Sequence, residues 1–409
     1  MSDVSTDEAT SGARVEFDPF SDVFFDDPYD MYRRLRDEAP VYHSERYGFW
    51  ALSRYDDVVE AHKDWKTFSS SHGVDLHTLS TPPDQVAMFR SIIMMDPPAH
   101  DRLRALVSRV FTPRAVQSFQ PIVREVIGTY VEPLDGRDRF DAVTELSGPF
   151  PVEIIARILG VPEGDRQQIR HWLDLQLHRE PGRLGPTAEG EAASSEAGAY
   201  FYGLVREKRR HPGDDMISRL TQAEVDREDG QGVTKLDDKE IAGFATLLGG
   251  RGPRPSPSSS PTPSCFARHP EQYRRVIDDP GAIPAAVEEI LRIWPPSQYQ
   301  GRFSLQDAEF HGVTLPAGHP VLLITGSATR DERFFDDPDA FDIDRPPSHS
   351  LGFGLGIHSC LGAALARMES RIAIGEMVRR WPRYEVDEAG LRRVHMSNVA
   401  GFSHVPVHV

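Results

Sequence analysis

The chain has little cysteine and no long apolar run. Only 2 of its 409 residues are cysteine, too few for a disulfide framework, so the sequence predicts a reducing, cytoplasmic location. No run of 18 apolar residues occurs, which argues against a membrane-spanning helix. Basic residues are also in deficit, and the net charge of −17 argues against nucleic acid or an anionic membrane as a partner. These absences favour an acidic globular enzyme.

Helical periodicity dominates the chain from Asp18 onward. Met31 and Leu35 stand four apart, as on an amphipathic helix, whereas the compact apolar run over residues 47–53 is typical of a strand. Asp96 is placed to cap the helix that follows it, and residues 180–192 read as a flexible connection. Further helices are predicted over residues 115–131, 151–160, 163–178, 193–210, 239–248 and 284–294. The expected fold class is mainly α with a small β portion, after a disordered tail at residues 1–15.

The stretch 353–367 carries the pattern richest in chemistry. A glycine-rich loop leads into Cys360, and apolar residues three and four apart predict a helix directly after it. A cysteine at a helix N-terminus meets backbone N–H donors that favour the thiolate, and such a thiolate suits haem iron as an axial ligand. Two other interpretations stay open at this point. Cys360 alone could be a buried structural thiol, or it could bind zinc with His358, although no further Cys or His stands at zinc-finger spacing.

The same stretch resembles the haem-binding loop of the cytochromes P-450. Six fixed positions of the family pattern F-G-x-G-x-H-x-C-x-G are matched by Phe353, Gly354, Gly356, His358, Cys360 and Gly362. The resemblance implies a single-domain cytochrome P-450 fold over residues 16–409. It also implies that haem b lies between the helices that the family calls I and L, with Cys360 as the axial ligand of its iron.

Other motifs extend the resemblance. Glu289 and Arg292 match the E-x-x-R of the family's K helix, although alone such a pair is usually only a helix-surface ion pair. The resemblance implies that Arg345 joins them and braces the core.

A second group of residues is expected to hold the haem. His100 and Arg104 match the family's H-x-x-x-R and share a helix face, where the alternative is a solvated basic surface. The resemblance implies that these two, with Arg302 and His358, bind the haem propionates. Phe353 and Gly354 are further expected cofactor contacts.

The segment 251–264 departs from the family. The I helix there should carry A-G-x-(D/E)-T, whose glycine makes room for dioxygen and whose acid and alcohol help to deliver protons. Gly250 and Gly252 stand at the expected oxygen groove, but Arg254 and Pro255 replace the acid and the alcohol. Five of these fourteen residues are proline and five are serine, so the segment is not expected to be helical. Composition alone suggests a disordered linker.

A shifted reading frame over residues 251–265 is a sharper explanation for this segment. GC-rich codons for Ala-Gly-Ala-Glu-Thr-Val-Thr-Lys-Leu-Val, read one base late, encode Arg-Gly-Pro-Arg-Pro-Ser-Pro-Ser-Ser-Ser, which is the sequence of residues 251–260. The unshifted version contains the family motif at the expected place. The 33 prolines of the chain, about 8% against an average of ~5%, are thereby partly explained.

The resemblance implies a monooxygenase that inserts one oxygen atom of dioxygen into an apolar small molecule, with secondary metabolism as the setting. Electrons are expected from NAD(P)H through a reductase and a ferredoxin, and the protein is expected to be a monomer. The ferredoxin is expected on the thiolate side, near Arg102, Arg109, Arg114 and Arg367. The expected substrate pocket includes Leu247, Leu248, Tyr299 and Phe402. The alternative is a catalytically crippled or non-catalytic haem protein, because the acid and alcohol are absent as written.

Overall fold

A computed structural model describes residues 15–82, 91–108, 111–227, 232–251, 261–346 and 350–409. The α-helices of this part, numbered in chain order, are α1 (Asp22–Asp26), α2 (Tyr29–Glu38), α3 (Tyr55–Lys63), α4 (Leu76–Leu79), α5 (Ala99–Ser108), α6 (Pro113–Ser118), α7 (Gln120–Val131), α8 (Pro149–Leu159), α9 (Arg166–Leu177), α10 (Ala188–Arg210), α11 (Met216–Gln222), α12 (Asp238–Arg251), α13 (Thr262–Arg268), α14 (Pro270–Asp278), α15 (Ile283–Ile293), α16 (Thr325–Ala328) and α17 (Ala363–Arg380).

The strands are short and form one main sheet with several small ones. They are β1 (Val41–Ser44), β2 (Phe49–Leu52), β3 (Phe68–Ser69), β4 (Arg139–Asp141), β5 (Glu224–Arg227), β6 (Gly232–Lys235), β7 (Gln300–Ser304), β8 (Ala308–Phe310), β9 (Val313–Leu315), β10 (Pro320–Leu323), β11 (Glu385–Val386), β12 (Arg392–Arg393), β13 (Phe402–His404) and β14 (Pro406–His408). The main sheet has the order β1-β2-β10-β7-β3, in which only β2 and β10 are parallel. The expected fold class, mainly α with a small β portion, is confirmed.

The largest core cluster joins α7, α8, α10, α12, α15 and α17. Helix α15 shows why these segments fold as they do. Pro284 lies in its first turn, where no intrahelical N–H bond is lost, and its apolar residues Val287, Ile290 and Leu291 are buried on the core side. The helix ends at Ile293, just before Pro295 and Pro296. Through this packing α15 and α17 come together.

Several sequence-based expectations need correction. Helix α10 begins at Ala188, inside the stretch expected to be a flexible connection. Helix α5 begins at Ala99, and the Asp96 carboxylate accepts instead from Ser69 Oγ at 2.5 Å and from the Ser70 backbone N–H at 3.0 Å. The local sequence could not predict these contacts, because Ser69 and Ser70 precede Asp96 by 27 and 26 residues.

Two unusual segments of the sequence, residues 1–15 and 251–265, are only partly described. Val15, the last residue of the expected tail, is buried with Phe17 and Tyr32 in an aromatic cluster, so the ordered chain begins earlier than predicted. Residues 1–14 lie outside the described residues. Helix α12 ends at Arg251 and α13 already begins at Thr262, although residues 251–264 were not expected to be helical. Pro263 is tolerated because it lies in the first turn of α13.

Candidate active site

The loop before α17 fixes the position of Cys360 through its backbone. The Cys360 N–H donates to the Phe353 carbonyl at 2.8 Å, which closes the loop on itself. Inside it, the Gly354 N–H donates to Leu351 at 2.8 Å and the Ser359 N–H donates to Gly356 at 3.1 Å. The Phe353 ring lies under the Arg367 guanidinium, 4.7 Å from its centroid, and Arg367 in turn pairs with Glu288. The loop is therefore anchored to α15 and α17.

Two glycines of this loop have positive φ. Gly354 has φ +68° and Gly356 has φ +73°, a region that side chains rarely adopt. A Cβ on Gly356 would collide with the carbonyl oxygen of His62, whereas a Cβ on Gly354 would lie 3.9 Å from its nearest non-adjacent neighbour, the His358 carbonyl oxygen. Gly356 thus allows the end of α3 to pack directly on the cysteine loop.

Cys360 presents an exposed side chain at the end of the loop. Protein atoms nevertheless surround the sulfur on its other sides, and this loss of hydration raises the pKa of the thiol. The backbone N–H groups of Gly362 and Ala363, at the start of α17, act in the opposite direction, as do Arg104 and Arg367. The donors expected at a helix N-terminus are present, but burial outweighs them when only protein groups are counted.

The four residues expected at the propionates lie around this loop. His100, on α5, has its Nδ1 2.9 Å from Asp101, and its ring centroid lies 4.6 Å from that of His358. Arg104 reaches the loop from the same helix by donating to the Ser359 carbonyl at 2.7 Å. Arg302, on β7, is only 5% exposed, and its burial lowers its pKa to about 10 although Asp96 opposes the change.

His62, at the end of α3, also lies beside these residues, although no sequence pattern indicated it. Its Nδ1 lies 3.5 Å from Arg302 Nη2, and burial lowers its pKa to about 3. We call His62, His100, His358 and Arg302 the histidine cluster. No short motif surrounds His62, so only the fold could reveal it.

The histidine cluster contains polar atoms that the protein does not satisfy. The Nε2 atoms of His62, His100 and His358 are buried without a hydrogen-bond partner among the described residues. Arg302 Nη1 donates to its own neighbour, Gly301, and the guanidinium carries five N–H donors in all. Buried unpaired donors cost about 1–3 kcal/mol each. Such a concentration, beside an exposed cysteine, fits a bound group that brings carboxylates and a metal.

Glu289, Arg292 and Arg345 form a second cluster, which we call the Glu289 cluster. Arg292 Nε and Nη2 donate to the two Glu289 carboxylate oxygens at 2.8 and 2.7 Å, and Arg345 Nε lies 3.4 Å from the same carboxylate. The other arginine donors reach backbone carbonyls, among them Thr329 at 2.9 Å and Asp336 at 2.9 Å. Glu289 and Arg292 are 4% and 3% exposed.

The expected substrate contacts separate into two pairs. Leu247 and Leu248 are partly exposed on α12 and pack against the main core. Tyr299 and Phe402, in contrast, are each only 1% exposed inside packed clusters, so neither presents surface to an open cavity. Neighbouring side chains cover both residues, and their place in the substrate pocket stays a prediction.

The expected oxygen groove is only partly described. Gly250 lies in the last turn of α12, next to Gly249, where an added Cβ would lie 3.0 Å from the Phe201 ring. Gly252, Arg254 and Pro255 lie outside the described residues.

Comparisons with known proteins agree with this site. The family model "Cytochrome P450" matches residues 282–398, which include the Glu289 cluster and Cys360. Putative cytochrome P450 123 of Mycobacterium tuberculosis is 41% identical over 394 residues, 96% of each chain. The chain belongs to the cytochrome P-450 family. Erythromycin C-12 hydroxylase of Saccharopolyspora erythraea is 36% identical to this cytochrome P-450, over 92% of its chain and 93% of the relative. The solved structure of CYP109Q5 from Chondromyces apiculatus has a TM-score of 0.84 at 32% identity, over 96% and 98% of the two chains.

Family membership gives the cofactor and the class of reaction. As a cytochrome P-450, the protein binds haem b and is a monooxygenase that uses dioxygen, a small-molecule substrate and redox partners. The donors of the histidine cluster and the exposed Cys360 thiol are the groups that this cofactor requires. Among the described residues, no helix is both long and apolar enough to cross a membrane.

Proposed function

We propose that this cytochrome P-450 hydroxylates an apolar small molecule of secondary metabolism in the bacterial cytoplasm, with Cys360 as the axial ligand. The observation that carries the proposal is the exposed Cys360 side chain, which faces the N–H donors of Gly362 and Ala363 and lies near Arg104. The haem supplies dioxygen activation when bound, and a thiolate ligand pushes electron density toward O–O cleavage.

The chain's own residues then have distinct roles. Arg104 and Arg302 supply positive charge for the two propionates, and the ring N–H groups of His100 and His358 supply further donors. Phe353 and Gly354 shape the loop beneath the ring. Leu247 and Leu248 on α12 offer apolar surface to a substrate. The Glu289 cluster holds α15 to the segment that leads into the cysteine loop.

The ligand assignment is tested with the two cysteines of the chain. Replacing Cys360 with serine is expected to remove the thiolate-type spectrum of the reduced, carbon-monoxide-bound protein. Both variants are made in the protein as written, where Cys265→Ser is the matched control because Cys265 is completely buried in α13. Loss of the thiolate spectrum in the Cys265 variant and its survival in the Cys360 variant would contradict the assignment.

We further propose that the monomeric enzyme receives electrons from NAD(P)H through a reductase and a ferredoxin. An open groove of about 570 Å³ runs between α6, α7 and residues 364–376 of α17, the helix that follows Cys360. Arg124 and Arg371 line it, and Arg114 is exposed beside it on α6. These cations suit an acidic partner although the net charge of the chain is −17. Glu376 also lines the groove, but it pairs with Arg379 and Arg380. Arg367 is less suited, because Glu288 already pairs with it; Arg102 is half-buried, and Arg109 lies outside the described residues.

The docking face is tested by reversing one charge. Arg371→Glu is expected to raise the KM for an acidic ferredoxin about tenfold at low salt, and the difference should shrink at high salt. Arg206→Glu, on the exposed face of α10, is the control for net charge. Equal effects of the two variants would show that this face does not dock the ferredoxin.

The proposed substrate class comes from the relatives. Erythromycin C-12 hydroxylase supports a hydroxylase of a natural product, and the comparisons do not favour the non-catalytic alternative. A panel of macrolides, steroids, terpenoids and fatty acids, screened by the shift of the haem spectrum, would identify the substrate. Turnover with the reconstituted redox chain is the confirming measurement.

We also propose that residues 251–265 arise from a shifted reading frame. Ser264 supports this, because its Oγ is completely buried without a hydrogen-bond partner in the described part of the chain. If Ser264 has a TCN codon, the overlapping codon of the other frame ends in TC and encodes Val, Leu, Ile or Phe. The codon overlapping Cys265 ends in TG and encodes Val, Leu or Met. The other frame therefore places apolar residues at both buried positions.

Resequencing the gene and mass spectrometry of the 251–265 peptide test the frame. We expect the expressed protein to carry Ala-Gly-Ala-Glu-Thr after Gly250. A peptide with the proline-rich sequence would overturn the proposal. The frame-corrected protein should then be compared with the protein as written for substrate turnover.

A further inference from the structure

His62 lies where two haem-holding elements meet. It is in the last turn of α3, only 3% exposed, and no short motif marks it in the sequence. Its backbone contacts the cysteine loop and its side chain contacts β7. A residue with both contacts can transmit the position of one element to the other.

The backbone contact is with the cysteine loop. The His62 carbonyl oxygen approaches Gly356 so closely that a Cβ there would collide with it. Gly356 has φ +73° and lies four residues before Cys360. The end of α3 therefore packs directly on the loop that carries the axial ligand.

The side-chain contact is with Arg302. His62 Nδ1 lies 3.5 Å from Arg302 Nη2, and because a guanidinium has donors only, this contact favours the tautomer in which Nδ1 accepts and Nε2 carries the proton. Burial, with a smaller contribution from Arg302, lowers the pKa of His62 to about 3 and keeps the ring neutral, although a hydrogen bond with the Gln300 side chain acts in the opposite direction. The resulting Nε2–H is buried and has no partner in the described part of the chain.

We propose that His62 is a positioning residue of the haem site: it holds Arg302 through Nδ1, and its Nε2–H completes the donor set for the propionate that Arg302 binds. This inference rests on the proposed role of Arg302. An ordered water is the competing acceptor for the Nε2–H. The two differ in their consequence, because only a propionate makes haem retention depend on His62.

Haem transfer from the ferric holoenzyme to excess apomyoglobin measures that retention. His62→Phe removes both ring nitrogens at similar volume and is expected to speed haem loss about tenfold, because a hydrogen bond to a charged carboxylate is lost. His62→Gln keeps an acceptor and N–H donors, so its loss rate should stay within about threefold of the wild type. His311→Gln is the control, because it removes the Asp57 contact of the same helix.

A double variant tests whether His62 acts through Arg302. Because His62 also donates to the propionate directly, His62→Phe combined with Arg302→Gln should lose haem faster than Arg302→Gln alone, but by clearly less than the roughly tenfold effect of His62→Phe in the wild type. The propionate bands of the resonance Raman spectrum should shift in His62→Phe and stay unchanged in His311→Gln. Haem loss from His62→Phe no faster than from the control, or full multiplication of the two effects, would overturn the proposal.

The outcome remains separable from that of the proposed function. A wild-type protein without the thiolate-type carbon-monoxide spectrum would contradict Cys360 as the ligand. The same protein would still show whether haem loss depends on His62. If His62→Phe fails to take up haem, His62→Leu, which also removes both ring nitrogens but is smaller, replaces it in the comparison with His311→Gln.

Discussion

The Glu289 cluster and the histidine cluster are both buried and both contain arginine, but they differ in what completes them. In the Glu289 cluster, Arg292 donates to the Glu289 carboxylate and to three backbone carbonyls at 2.7–2.9 Å. In the histidine cluster, Arg302 has one bond to its own neighbour and a long contact with His62. Arg292 is paired with a carboxylate, whereas none lies within ion-pair distance of Arg302 among the described residues.

The difference separates a structural site from a binding site in the same molecule. A buried charge is costly unless it is paired, so a closed cluster belongs to the fold itself. An open cluster is tolerated only if a ligand repays its cost. The cysteine loop connects the two regions, because it follows the segment held by Arg345 and packs on His62.

The largest expected effect comes from opening the closed cluster. Glu289→Gln leaves the Arg292 and Arg345 charges buried without their carboxylate, and we expect the free energy of unfolding to fall by about 4 kcal/mol. The loss should be similar with and without haem. Denaturant unfolding of both forms measures it.

Glu288→Gln is the matched control for that prediction. Glu288 is the adjacent residue and pairs with Arg367, which is 32% exposed, so its replacement should cost only about 1 kcal/mol. Equal losses for the two variants would show that the closed cluster has no special structural weight.

Glu369 offers a third case, a buried carboxyl on α17. Burial raises its pKa to about 8. In the unfolded chain the Glu369 carboxyl ionises near pH 4.5, whereas in the folded protein it keeps its proton until about pH 8. The free energy of unfolding therefore falls as the pH rises through this window. Glu369→Gln removes the slope and should stabilise the protein by about 3 kcal/mol above pH 8, and by little below pH 4.5. Unfolding curves of both proteins, measured over a series of pH values, check this difference. If Glu369→Gln changed the free energy of unfolding by the same amount at every pH, the ionisation of Glu369 would not be the cause.

The contact between the cysteine loop and α3 is broken by a single methyl group. Gly356→Ala combines an unfavourable φ with a collision at the His62 carbonyl, and we expect a loss of about 2–3 kcal/mol together with faster haem release. Gly354→Ala has a similar φ but no close neighbour, so about 1 kcal/mol is expected. Thermal unfolding and haem transfer of the two variants separate backbone strain from the collision. Equal losses of stability and equal rates of haem release in the two variants would rule the collision out.

The sequence foretold the fold class and the loop of Cys360 because both are encoded by local patterns. The amphipathic spacing of Met31 and Leu35 predicted α2, and a ten-residue motif marked the cysteine loop. His62 could not be predicted, because its partner Arg302 is 240 residues away and only the fold brings them together. Asp96 failed for the same reason, since its carboxylate bonds to Ser69 across 27 residues instead of capping α5.

Proline content misled in a different way. The proline-rich stretch was not expected to be helical, yet α13 begins at Thr262 with Pro263 in its first turn. Propensity counts the residue type, whereas the helix tolerates proline at that one position. Tyr299 and Phe402 show the converse limit, because large aromatic residues near an expected pocket are equally suited to a packed core.

The smallest expected effect separates the two clusters most sharply, because it changes sign with the cofactor. Burial lowers the Arg302 pKa to about 10 although Asp96 opposes the change, so Arg302→Gln should stabilise the apoprotein by about 1 kcal/mol. In the holoenzyme the same change removes the proposed propionate partner and should speed haem loss. Arg292→Gln, in the closed cluster, should destabilise both forms. Unfolding curves of the two variants, with and without haem, give four values, and an Arg302 variant that weakens the apoprotein as Arg292→Gln does would show that both clusters belong to the fold.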